Sequence, residues 1–119
     1  MRHSPILAAA LVALPLAAAA HGPHFSPEEV AWMDRQHALD GMKCCDERDV
    51  TIGLAVRWRM QGRHYEVLIG GRWWQVPPGR MLRHNTADPS PFPGEAILFY
   101  SPMPDGTPRI WCFSPPPLT

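Results

Sequence analysis

The chain of 119 residues carries eleven Lys and Arg against eleven Asp and Glu, so its formal charge is zero. That length holds one small domain and excludes a dinucleotide-binding half joined to a substrate domain, or a (β/α) barrel. Fifteen prolines and nine glycines interrupt the chain too often for a helical bundle and favour short strands joined by turns.

Arg2 and His3 precede an apolar, Ala-rich run over residues 6–20, which gives way to His21-Gly22-Pro23-His24. The run is shorter than the roughly 20 apolar residues that a membrane-crossing helix needs, and Ala18-Ala19-Ala20 offers the small residues that signal peptidase reads. Residues 1–20 are therefore expected to be a signal peptide. Residues 21–119 would then form one exported domain, periplasmic or secreted, with a Pro-rich tail and no transmembrane span. An uncleaved N-terminal anchor is the competing expectation. Cys44 lies too far from the cut to carry a lipid.

Phe25-Ser26-Pro27-Glu28-Glu29-Val30 predicts a helix start, with Ser26 as N-cap, Pro27 at the first helical position, Glu29 closing a capping box and Phe25 stapled to Val30. The helix is expected over 27–39, ended by Gly41, with Val30, Ala31, Trp32, Met33, Ala38 and Leu39 on its apolar side. In an oxidising compartment Cys44, Cys45 and Cys112 read as disulfide partners. Neighbouring cysteines rarely bridge each other, so Cys112 is expected to pair with Cys45 or with Cys44. One thiol is left over and offers a route to a disulfide-linked homodimer. The Cys44-Cys45 pair lacks the spacing of a tetrahedral zinc site.

From Leu54 the hydrophobic period becomes two, and Gln61-Gly62 and Gly70-Gly71 are placed as two-residue hairpin turns. This register sets Trp58 opposite Tyr65, Val56 opposite Val67, and Trp74 and Val76 opposite Val67 and Tyr65. Trp58, Tyr65, Val67, Trp74 and Val76 are the expected core. The other face carries Arg59 opposite His64, Arg57 opposite Glu66, Ala55 opposite Leu68, then Trp73 and Gln75. Pro77-Pro78 ends the third strand, 85–94 is a Pro-rich loop, and two more strands follow over 96–101 and 109–113. The expected fold is α+β, one N-terminal helix packed on a small, mostly antiparallel five-stranded sheet. An SH3-like small barrel is the alternative.

Three blocks carry a resemblance: Asp40-Gly41-Met42-Lys43-Cys44-Cys45-Asp46-Glu47-Arg48-Asp49, Trp73-Trp74-Gln75-Val76-Pro77-Pro78, and Arg109-Ile110-Trp111-Cys112-Phe113-Ser114-Pro115-Pro116. Together they resemble an uncharacterised group of small exported bacterial proteins with a Cys-Cys-Asp-x-x-Asp block and a terminal Cys-Phe-x-Pro-Pro. The resemblance implies a common fold and brings no activity. The chain departs from that pattern at Val50 and over 98–101, where the group has further cysteines, which amounts to one lost disulfide if those two pair.

Charge is segregated: residues 57–83 hold six Arg and one acid, and residues 28–49 hold seven acids and three bases. The outward set Arg57, Arg59, His64 and Trp73 combines guanidinium groups with an aromatic platform, suited to phosphate, carboxylate or sugar. The expectation is a non-catalytic envelope binding or accessory module whose partner is an anionic envelope component or sugar. Nucleic acid is not expected outside the cytosol. The competing expectation is that the helix covers Trp73, Leu68 and Ala55 as a second small core. No enzyme is expected, because Glu66 and His64 are each opposed by an arginine. No cofactor is expected either, with copper as the alternative. If cleavage follows Ala20, His21 begins the mature chain. Its amine and imidazole, with His24, His64 or His84, would then form a histidine brace similar to that of lytic polysaccharide monooxygenases.

Overall fold

The computed structural model describes residues 24–45 and 50–116. The expected signal peptide, His21 and the acidic stretch 46–49 lie outside the described residues. The elements run α1 (Pro27–Asp34), β1 (Thr51–Leu54), β2 (Trp58–Gln61), β3 (His64–Ile69), β4 (Arg72–Gln75), a 3₁₀ turn (Pro78–Arg80), β5 (Ile97–Ser101) and β6 (Arg109–Ser114). The α+β expectation holds. The single five-stranded sheet does not: the strands form two antiparallel three-stranded sheets, ordered β1-β5-β6 and β2-β3-β4.

The capping box is formed as its sequence dictates. The Ser26 hydroxyl accepts from the Glu29 amide at 3.1 Å, and the Glu29 carboxylate accepts from the Ser26 amide at 2.8 Å. The helix stops at Asp34, five residues before the expected end. The Gln36 side chain turns back to the Trp32 carbonyl at 2.8 Å, taking up one of the acceptors that a helix end exposes. Beyond it the backbone finds tertiary partners: Leu39 donates to the Met81 carbonyl, Asp40 to Gly79 and Arg83 to His37. Gly41, at φ +91°, sits in the turn of this clasp and not at a helix cap. Leu39, expected on the apolar side, is consequently exposed.

The expected long strand from Leu54 breaks because Ala55 adopts φ +55°, a left-handed conformation that costs an alanine about 1 kcal/mol. The break hands β1 to β5 and β2 to β3. The first sheet is buried on both faces. Val50, Ile97, Phe99, Trp111 and Cys112 pack on one side with Trp32 and Met33 of α1, Ala38, Leu82 and Phe92. Leu98, Ile110 and Phe113 pack on the other side with Val67 and Val76 of the second sheet. The molecule is therefore layered: helix and clasp, first sheet, second sheet. A β-bulge makes this possible in β6, where Phe99 pairs with Cys112 and Tyr100 with Ile110, leaving Trp111 as the extra residue. Trp111 and Cys112 then both serve the helix-side core. The buried indole N–H donates to the Ser101 hydroxyl at 2.8 Å, so the one polar atom of the Trp111 side chain is satisfied.

The disulfide joins Cys44 to Cys112, the second of the two expected pairings. It ties the clasp after α1 to the last strand across 68 positions. Of the expected core, Val67 and Val76 are buried, Tyr65 and Trp74 are half-buried, and Trp58 is 38% exposed. Trp58 misses full burial because β2 lies at the margin of the second sheet, where its ring stands 5.8 Å from that of Tyr65.

Candidate functional site on the second sheet

The hairpin that builds the candidate site turns at Gly62-Arg63, one residue later than expected. Gly62 takes φ +63° and Arg63 does not take positive φ, which is the pattern of a type II′ turn with glycine first. A turn at Gln61-Gly62 would have required a left-handed or mirror-β glutamine. Moving the turn by one residue moves the pairing by two, so every side chain keeps its face and changes its partner. Arg59 stands opposite Glu66, not His64, and the Arg57 carbonyl accepts from Leu68. The second turn is as expected. Gly70 and Gly71 both take positive φ, and Trp74 pairs with Val67.

The shift decides the chemistry of the outer face. Arg59 donates through Nε to Glu66 Oε1 at 2.8 Å, and its Nη2 lies 2.7 Å from the same oxygen. The guanidinium carbon sits 4.1 Å above the Trp73 ring, within cation–π range. His64 Nε2 lies 3.6 Å from the other Glu66 oxygen. Arg59, His64 and Trp73 are thus brought together around Glu66. Arg57 is exposed on the same face and makes no ion pair among the described residues. The helix does not cover this face: α1 packs against the far side of the first sheet, and Leu68 and Trp73 remain half-buried. Ala55 lies in the joint between the sheets and not opposite Leu68.

A second concavity was not apparent in the sequence. A cleft of about 300 Å³ lies between α1 and the loop over 83–95. Trp32, Leu82, Phe92 and Ile97 form its apolar floor, and Arg83, His84 and Glu95 contribute to its walls. Asp88 clips the loop to the helix. Its carbonyl accepts from the Trp32 indole at 3.0 Å, and its carboxylate takes a two-bond fork from Arg35, each bond 3.0 Å. The Arg35 guanidinium holds the Asp88 carboxyl below the ordinary carboxylate range. The sequence signal was present in the apolar Phe92 amid prolines, but nothing in the chain order links residue 32 to residue 88.

The third cysteine, Cys45, is half-buried. Burial first, and the nearby Asp34 second, push its thiol up to about 12. A thiol so seldom ionised reacts slowly with a second copy. Among the expected metal ligands, His24 is exposed with its ring 4.2 Å from Phe25, His64 lies on the second sheet and His84 at the cleft. No group of three or more His, Cys, Asp or Glu positioned for a metal ion occurs among the described residues, where no helix is long and apolar enough to cross a membrane. No family model, curated protein or solved structure matches the chain.

Proposed function

We propose that the protein works outside the cytosol as a non-catalytic binding or accessory module, with the outer face of the second sheet as its ligand surface. The observation that carries this reading is the ordered cluster of Arg59, Trp73 and Glu66 beside an exposed Arg57 that makes no ion pair among the described residues. Arg59 is fixed by two partners, so little side-chain entropy is lost when its remaining N–H groups meet a ligand. Arg57 supplies a charge that no acid on the sheet neutralises. An anionic envelope component, presenting phosphate or carboxylate beside sugar hydroxyls, fits this donor set, with Glu66 as acceptor for a hydroxyl. Glu66 is held by Arg59 and is poorly placed to act as a base, which supports a binding role over a catalytic one. The Cys44–Cys112 bridge supports an oxidising location.

The test is retention of the protein on isolated envelope fragments. Trp73→Ala with Arg57→Gln should abolish retention while leaving the fold intact, and added salt should weaken wild-type retention. Retention that survives both variant and salt overturns the reading. The cleft beneath the 83–95 loop favours a second reading, a small uncharged apolar ligand, because its floor is aromatic and aliphatic. Phe92→Ala would remove binding of such a ligand and leave envelope retention unchanged.

A further inference from the structure

The backbone of β2 has one side that no described strand uses. In an antiparallel pair the residues exchanging hydrogen bonds alternate along each strand. The Leu68 amide donates to the Arg57 carbonyl at 3.0 Å, which places Arg57, Arg59 and Gln61 in the hydrogen-bonded register with β3. Trp58 and Met60 therefore turn their N–H and C=O groups away from β3. β2 is an outer strand of its sheet, so those groups point outward. The side chains of the same two residues are unusually exposed for their type, 38% for Trp58 and 48% for Met60. Residues 57–63 contain Arg57, Arg59 and Arg63 and no acid, and neither Arg57 nor Arg63 makes an ion pair among the described residues.

We infer that the outer edge of β2 accepts an added strand, an extended peptide segment of a partner protein in which apolar and acidic residues alternate. The period of two on the incoming strand would set its apolar side chains beside Trp58 and Met60 and its acids beside Arg57 and Arg59. Main-chain bonds to Trp58 and Met60 supply the register. Charge complementarity selects this occupant over a second copy of the chain, since an antiparallel β2–β2 pairing centred on Arg59 would set arginine opposite arginine. The inference shares Arg57 and Arg59 with the outer-face reading and adds the strand's edge with Trp58 and Met60, so protection of the Trp58 and Met60 amides tests it apart from envelope retention.

The experiment titrates the full exported protein with an acetylated, amidated Val-Glu-Val-Glu-Val-Glu peptide and with its Val-Lys counterpart. Amide hydrogen exchange is followed in parallel. The Glu peptide should bind, protect the Trp58 and Met60 amides, and bind at least about tenfold more tightly than the Lys peptide. Met60→Pro should raise Kd at least about tenfold while keeping the fold, since the lost N–H does not serve β3. Should that variant fail to fold, protection of the two amides in the wild-type protein decides the matter, and Arg63→Glu gives the charge dependence. The inference is overturned by absence of binding at about 1 mM peptide, by equal binding of both peptides, or by protection at Trp73 and Gln75 of β4 instead. Sedimentation showing a dimer that Met60→Pro dissociates would also overturn it, because the second copy would then be the occupant.

Discussion

The two sheets share strand number and antiparallel pairing, yet they meet different surroundings. The β1-β5-β6 sheet has the helix and clasp on one face and the other sheet on the opposite face, so its central strand reads Ile-Leu-Phe-Tyr without alternation. The β2-β3-β4 sheet is covered on one face alone, where Val67 is buried, and sets Arg59 and Trp73 outward. Burial and the cross-link are concentrated in the first, and the proposed ligand face lies on the second. A small domain can expose a basic, aromatic surface because a separate, doubly buried and cross-linked sheet holds the fold.

Removing the Cys44–Cys112 bridge tests that division most severely. Cys112→Ser or full reduction should cost about 4 kcal/mol in the chain-entropy account, read as a fall in the denaturant midpoint of unfolding. An equal midpoint with and without reductant would mean that the first sheet does not depend on its staple. Leucines on the two sheets give the next contrast. Leu98→Ala, in the doubly buried strand, should cost about 3 kcal/mol, whereas the half-buried Leu68→Ala should cost about 1 kcal/mol. Comparable losses would mean that the two sheets do not differ in what they contribute to stability. The joint between the sheets is strained at Ala55, so Ala55→Gly should raise stability by up to about 0.5 kcal/mol, the relief of φ exceeding the entropy that glycine adds to the unfolded chain.

The smallest effect concerns the loop that roofs the cleft. Because Arg35 lowers the Asp88 carboxyl in the folded state, this pair contributes above the ordinary Asp range, and the contribution is lost as pH falls through the lowered value. Asp88→Asn should flatten the acid side of the unfolding profile without changing its alkaline side. A variant with the wild-type acid profile would show that the Arg35–Asp88 fork does not hold the loop.

Much of the fold was legible locally. The capping box at Ser26, the Gly70-Gly71 turn and the two C-terminal strands each depend on a few adjacent residues, and all three stand as read. The helix end was misread because Gly41 resembles a helix terminator, while the actual stop follows from backbone pairing between 37–40 and 79–83, distant in sequence. The candidate face was legible by composition, since a two-residue change of register preserves which side chains share a face. Its partners were not: Glu66 went to Arg59 because a type II′ turn needs glycine first, a constraint the residue pattern leaves open.

Residue order by itself determined the strand faces, the helix start and the identity of the outward arginines and Trp73, because these rest on periods of two and on contacts three residues apart. Tertiary structure alone decided that the strands divide into two layers, that Cys44 meets Cys112, and that Trp58 stays at the surface. Those outcomes depend on which surfaces bury one another, and that competition is settled between segments far apart in the chain, Cys44 and Cys112 among them at a separation of 68 positions.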